Sequence, residues 1–283
     1  MKRRIRGIAA GLALLGAAFA VSAGAATPSP EEPPRCHGRR ATIVGTDGPD
    51  VLHGTPHRDV IWAGAGDDVV YGELGNDLIC GGLGPDVLHG GRGNDVVDGG
   101  AGDGDVVLGE LGDDKLLGGP GNGDEVGGGL GIDIVNGGPG NDDLVHGDYG
   151  YDRMSGGAGS GDVASFATDV GAGRRGGGGV WASLRAHRAF GDGHDRLFGF
   201  ESIEGSAFAD TLIGSKNDNA IEGGPGNDHL IGGGGHDTLD GGQGTDGCKG
   251  AKGAAFSCGR ERGPTGSAYV QLDPAPGGGA GLE

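Results

Sequence analysis

The sequence predicts an all-β solenoid, and three observations predict it. Glycine supplies 72 of 283 residues, and each interior glycine costs a helix about 1 kcal/mol against alanine. Aspartates recur on a nine-residue clock, at Asp50, Asp59, Asp68, Asp77, Asp86 and Asp95. Two residues after each aspartate stands an aliphatic side chain or methionine: Leu52, Ile61, Val70, Ile79, Leu88 and Val97, then Val107, Leu116, Val126, Val135, Val145 and Met154. In a short strand one side chain points inward and its neighbours point out, so each repeat supplies one core residue. No single repeat can bury that residue, and a stack of them can.

The spacing overrides the composition. A formal charge of −19 with 5% aromatics would by itself read as disorder. Collagen needs glycine at every third position, which a stretch such as GGRGNDVVD does not supply. After Asp95 the clock continues at Asp105, Asp114, Asp124, Asp133, Asp143, Asp152 and Asp162, in steps that alternate ten and nine. Every second aspartate is therefore 19 residues on, and the extra residue always falls in the set containing Asp105. If two repeats make one turn of a solenoid, all insertions stack on one edge. At residues 141 to 143 (Asn, Asp, Asp) the 19-residue spacing selects Asp143. The Gly-Gly-x-Gly segments supply the positive-φ residues that tight turns between short strands need.

The units GGLGPDVLH (81–89), GGRGNDVVD (90–98), GGLGIDIVN (128–136), GGPGNDHLI (223–231) and GGGGHDTLD (232–240) resemble the RTX, or haemolysin-type, calcium-binding nonapeptide GGxGxDxUx. The resemblance covers about residues 43 to 250, and ATIVGTDGPDVLHGT followed by LICGG is similar to a secreted actinobacterial subset. It implies a parallel β-roll, a right-handed β-solenoid with Ca²⁺ held between the turns of successive coils.

The turns make a physical case for the same ion. Ca²⁺ takes six to eight oxygens from carboxylates and carbonyls, and glycine-rich turns leave carbonyls uncovered. One carboxylate per turn, stacked coil on coil, would repel its neighbours without a cation. Cysteine is scarce and histidine scattered, so zinc and copper fit poorly. The expected ligands are Asp68, Asp77, Asp86, Asp95, Asp114, Asp133 and Asp152, with Asp228, Asp237 and Asp246 in a second array. Asp105, Asp124 and Asp143 follow an inserted residue, so their edge should be the less regular one. GTPHRD (54–59) departs from the pattern and is expected to hold no ion, and Asn219 replaces an aspartate and should weaken its sites. Glu110 and Asp148 replace the second glycine of their turns, either as tolerated turn residues or as extra ligands. The plainer reading of all these aspartates is that they only form turns.

The flanks carry other signals. Residues 1–25 read as a signal peptide, with Lys2, Arg3, Arg4 and Arg6 before an apolar run and a small-residue cleavage site; no membrane span is expected once it is removed. An N-terminal flank (26–42) leads to a first roll (43–162), and a second array spans 206–258. Between them, residues 163–205 are expected to continue the solenoid as longer strands, with RRGGGG (174–179) as an exposed loop and Trp181, Phe190, Phe198 and Phe200 in the core. Residues 259–283 read as a disordered Gly/Pro tail. Cys36, Cys80, Cys248 and Cys258 favour disulfides in an exported chain. Three connectivities exist, and the position of each pair near one end of the repeats favours Cys36–Cys80 and Cys248–Cys258.

Catalytic signatures are missing: there is no H-E-x-x-H, G-x-S-x-G or Walker A segment. GAGRRG (171–176) and GQGTDG (242–247) match G-x-G-x-x-G in a chain that is a quarter glycine, and neither opens a helix. The acidity opposes nucleic-acid binding. Many proteins with such repeats carry a separate catalytic or membrane-active domain, and within these 283 residues no stretch of that size is left over. The expectation is a non-enzymatic, secreted, extracellular calcium-binding protein of structural or cell-surface role. The alternative is a calcium-dependent adhesin or carbohydrate-binding module with a glycan or cell-surface partner.

Overall fold

The computed structural model of the chain describes residues 33–167, 178–191, 193–251 and 253–258. The expected signal peptide, the start of the flank, most of RRGGGG and the Gly/Pro tail lie outside the described residues. The described chain is all β. Strands alternate between two sheets, one of 11 strands running from Val51–His53 to Ala255–Ser257 and one of 13 from Ile43–Val44 to Gly247–Lys249. Each repeat places a strand in one sheet and the next repeat places one in the other, so two repeats close a coil. Coil-to-coil pairing is parallel: Val60 stands beside Leu78, Leu78 beside Val96, and Val106 beside Val87 and Glu125.

In the first array most strands run six or seven residues, as in Val87–Arg92 and Leu144–Gly150, with the ladder continuing into the turn. In the second array the strands are three residues, such as His229–Ile231.

The inward slot is filled as its spacing requires. From Ile61 to Met154 every predicted core residue is at most 1% exposed. Leu52, near the start of the stack, is partly buried. The column continues through Ile203, Leu212, Ile221, Leu230 and Leu239 to Cys248.

Both disulfides form as the sequence favours, Cys36–Cys80 and Cys248–Cys258. Cys80 follows the inward Ile79 and so faces out of the 13-stranded sheet. There it ties down a two-stranded hairpin, Arg35–Cys36 with Arg39–Arg40, over Val60 and Leu78. Cys248 occupies the inward slot itself, and its partner follows Phe256, which packs on the end of the core.

The interruption differs from the expectation of longer strands. Val163–Ser165 and Ser202–Glu204 do continue the 11-stranded sheet in parallel register. In the other sheet His194–Phe198 pairs parallel with Arg153–Ser155, and Arg188–Phe190 is antiparallel both to it and to Trp181–Ser183. A meander of short strands thus adds two strands to one sheet alone. Its alanines, Ala182 and Ala189, take the inward slots with Leu197. Alternation then turns Trp181, Phe190 and Phe198 to the outer face, where they are half-buried, and only Phe200 of the four expected aromatics is in the core, joined by Phe166.

Candidate metal centres

Each clock aspartate immediately precedes its strand, which sets its carboxylate at the coil edge. Its backbone N–H donates to Oδ1 of the aspartate one coil on. Along one edge these bonds are 2.7 Å for Asp59 to Asp77, Asp77 to Asp95 and Asp95 to Asp114, and 2.8 Å for Asp114 to Asp133 and Asp133 to Asp152. Along the other they lengthen from 2.8 Å at Asp86 to Asp105, through 3.0 Å at Asp105 to Asp124, to 3.2 Å at Asp124 to Asp143 and Asp143 to Asp162. The second array repeats the bond at 2.8 Å from Asp210 to Asp228, 3.0 Å from Asp228 to Asp246 and 3.1 Å from Asn219 to Asp237.

The extra residue accounts for the looser edge without abolishing it. Gly104, Gly123, Asp142 and Gly161 are the inserted positions, and all four adopt positive φ, between 62° and 85°. Asp142 is thereby set in the bulge and Asp143 in the ladder. The aspartates beyond the bulge are buried as completely as those opposite.

With Oδ1 engaged, Oδ2 is left over. It is buried without a hydrogen-bond partner on Asp68, Asp77, Asp86, Asp95, Asp105, Asp114, Asp124, Asp133, Asp143, Asp152, Asp228, Asp237 and Asp246, and also on Asp162. A buried anionic oxygen lacking a partner is costly. Beside it the space is tight: a Cβ on Gly109 would lie 2.5 Å from Asp114 Oδ2 and 2.6 Å from the Gly128 carbonyl oxygen, and only before Asp68 is the equivalent place taken by a larger residue, Ala63. Carboxylate and glycine carbonyl oxygens converge likewise beside Gly90, Gly128 and Gly223, the all-oxygen donor set that suits a hard cation such as Ca²⁺.

Four turns solve the same problem internally. Where Ser or Thr replaces the second glycine, it caps the Asp or Asn four residues on. Thr46 N–H and hydroxyl donate to Asp50 Oδ2 at 2.6 and 2.8 Å, and Thr55 does the same for Asp59 at 2.7 and 2.8 Å. Ser206 caps Asp210, its N–H reaching Oδ2 at 2.7 Å and its hydroxyl Oδ1 at 2.8 Å. Ser215 N–H donates to Asn219 Oδ1 at 2.6 Å, and Asn219 Nδ2 donates to the Glu201 carbonyl at 2.9 Å. These turns have no orphaned oxygen and no need of an ion. Sequence reasoning passed over this rule, although the Ser/Thr signal was in plain view.

Three acids of the rows also stand outside the expected ligand set. Asp162 ends the regular clock. Asp195 Oδ1 receives the Asp152 N–H at 3.0 Å, and Glu201 Oε2 receives that of Asp162 at 3.3 Å. Glu110 and Asp148 are tolerated turn residues, as is Glu73, with φ of 75°, 61° and 72°. Their carboxylates face histidines: Glu110 Oε1 lies 2.9 Å from His89 Nδ1, Glu73 Oε1 3.1 Å from His53 Nδ1, and Asp148 Oδ2 3.0 Å from His146 Nδ1.

Burial, reinforced by neighbouring carboxylates of the row, pushes Asp86 up to about 7 and Asp152 up to about 8. Asp77, Asp95, Asp114 and Asp133 are pushed up to about 6 by the same desolvation. Each acid is thus harder to ionise folded than unfolded, so the metal-free roll loses stability as pH rises from about 4 through these values. In chelator, the circular-dichroism β signal is expected to grow as pH is lowered from 8 to about 5. A signal that stays flat or falls over that range would contradict the burial of these groups.

Fold and site define a class: a parallel β-roll with two rows of carboxylates arranged for hard cations. The profile of the RTX calcium-binding nonapeptide repeat matches residues 44–79, 81–106, 104–125, 127–161, 198–228 and 213–248. The matches cover more than half of the chain, which belongs to this family; RTX repeats bind calcium. The longest gap between matches, 162–197, contains the inserted meander. A search of curated proteins finds no match to the chain.

Proposed function

We propose that the chain is an exported, extracellular calcium-binding roll that folds as its ions bind and serves a structural or cell-surface role rather than a catalytic one. The observation that carries this reading is the row of buried, partnerless Oδ2 atoms beside glycine carbonyls. The ligands would be the carboxylates of Asp68, Asp77, Asp86, Asp95, Asp105, Asp114, Asp124, Asp133, Asp143, Asp152, Asp228, Asp237 and Asp246, with Asp162 added. Bound Ca²⁺ would supply the charge that lets these groups stay ionised away from water. Binding energy then becomes folding energy, with an affinity suited to extracellular calcium, about 10⁻⁴–10⁻³ M. Export is supported by the basic start and apolar run of residues 1–25 and by two disulfides, which persist in oxidising compartments.

Equilibrium dialysis of the chain lacking residues 1–25 tests the ion reading. Several Ca²⁺ per chain, displaced poorly by Mg²⁺, are expected; a stoichiometry near zero overturns it. N-terminal sequencing of the protein recovered from culture medium tests export, with a start close to Ala26 expected and cell retention opposing it.

A further inference from the structure

The inserted meander assembles a surface unlike the rest of this acidic chain. Arg153, Arg196 and Arg188 stand at directly paired positions on three adjacent strands, about 4.8 Å from strand to strand. All three are exposed, and among the described residues none has a carboxylate partner. Arg153 instead lies over the Phe198 ring, 4.5 Å from its centroid. Two residues along each strand runs a row of four rings. Tyr151 and His194 are 5.3 Å apart, His194 and Phe190 4.9 Å, and Phe190 and Trp181 5.3 Å. The three arginines with Tyr151, His194 and Phe190 line one groove of about 490 Å³, and Trp181 extends the ring row beyond it. The two acids beneath it, Asp152 and Asp195, are buried and joined in the ladder.

Like charges at paired positions across strands destabilise a sheet. The chain has 40 acidic residues against 21 basic ones, so partners for these arginines were plentiful. Leaving three unpaired side by side makes physical sense if an outside anion offsets them. A guanidinium binds carboxylate, sulfate or phosphate through two parallel hydrogen bonds. A ring row beside it offers apolar faces to the CH-rich face of a sugar, with polar tips at Tyr151 and His194. Both rows cross the strands and so run along the solenoid, which suits an extended ligand. Single-stranded nucleic acid shares part of this chemistry. It carries a charge on every nucleotide, however, and beyond three arginines would meet a chain of formal net charge −19.

We propose that this outer-face strip binds an extended acidic polysaccharide, its charged groups on Arg153, Arg196 and Arg188 and its sugar faces on the row from Tyr151 to Trp181. The proposal rests on the calcium-folded roll, since only the folded sheet aligns the two rows.

Affinity electrophoresis and calorimetry on the full calcium-loaded chain test it. The probes are hyaluronate and unsulfated chondroitin (acidic), dextran (neutral), polyglutamate (charge without sugar) and oligothymidylate. Binding to at least one acidic glycan is expected, about tenfold or more tighter than to dextran or polyglutamate, and weakening with salt. The double variant R188Q/R196Q should lose about tenfold or more while keeping the wild-type calcium-dependent β signal, since it removes only exposed like charges. R188K/R196K, which keeps the charge and loses the fork, should fall between. Trp181→Ala should weaken glycan binding without changing the salt dependence. Binding to neither acidic glycan overturns the proposal, as does equal binding by polyglutamate, tighter binding by oligothymidylate, or undiminished binding by the glutamine variant. A chain that folds with calcium and fails these assays sinks the strip alone; a chain whose β signal ignores calcium sinks the ion reading.

Discussion

Adding excess chelator to the calcium-loaded chain is expected to abolish most of its β signal, and millimolar calcium should restore it. The reasons are local to each coil. A coil of 18 or 19 residues contributes only one inward side chain to each sheet, such as Val97 and Val107. Ordering its glycines is entropically expensive, and that narrow column has little to set against it. Each coil also stacks buried carboxylates on those of its neighbours, with Oδ2 unpaired. The hydroxyl-capped turns at Thr46, Thr55, Ser206 and Ser215 carry no such burden, and the disulfides persist without metal. Hydrogen exchange in chelator should therefore show coils 68–162 losing protection first. A β signal indifferent to chelator would refute the coupling of ion and fold.

A single methyl group should reproduce part of that loss. Gly109→Ala would put a Cβ between Asp114 Oδ2 and the Gly128 carbonyl, where both oxygens and the space beside them are needed. Gly104→Ala is the matched control. It lies in the same coil at a φ of 81°, with nothing within 4 Å of its added Cβ. The control pays only the left-handed penalty of about 1–2 kcal/mol. Calcium titrations followed by circular dichroism are expected to show the Gly109→Ala midpoint raised about tenfold, at constant pH and salt, and that of Gly104→Ala raised clearly less. Equal midpoints for the two variants would mean that the glycine edge serves backbone conformation only, with no cradle beside the carboxylate.

Much of this was legible in the sequence because two signals share one period. The aspartate marks where a strand starts, and the residue two places on faces inward. Together they fix register, sheet and core from Ile61 to Met154. The Oδ2 orphans follow from the same clock. Sequence reasoning failed where the period lapses. Asp195 lies 43 residues after Asp152, and no spacing announces that its Oδ1 takes the next rung. The aromatics of the meander were misplaced because size does not report face. Ala182 and Ala189 are small and yet inward; Trp181 and Phe190 are large and outward, since the antiparallel return resets which residues share a side. The hydroxyl caps needed only a closer comparison of GTPHRD with GGRGND, for one oxygen near the second turn position decides whether the acid beyond it wants a proton donor or an ion.

The fixed coil has a consequence for how long such a molecule can be. Every rung of either row joins residues 18 or 19 apart within the regular arrays. Removing or duplicating one whole coil shifts both sheets by a single strand spacing, about 4.8 Å, and returns each aspartate to a waiting Oδ1. A change of nine residues would send every later aspartate to the opposite edge and bring bulged turns against unbulged ones. The roll is a ruler graduated in coils, whose reach can be reset between its two sulfur clasps without altering either end.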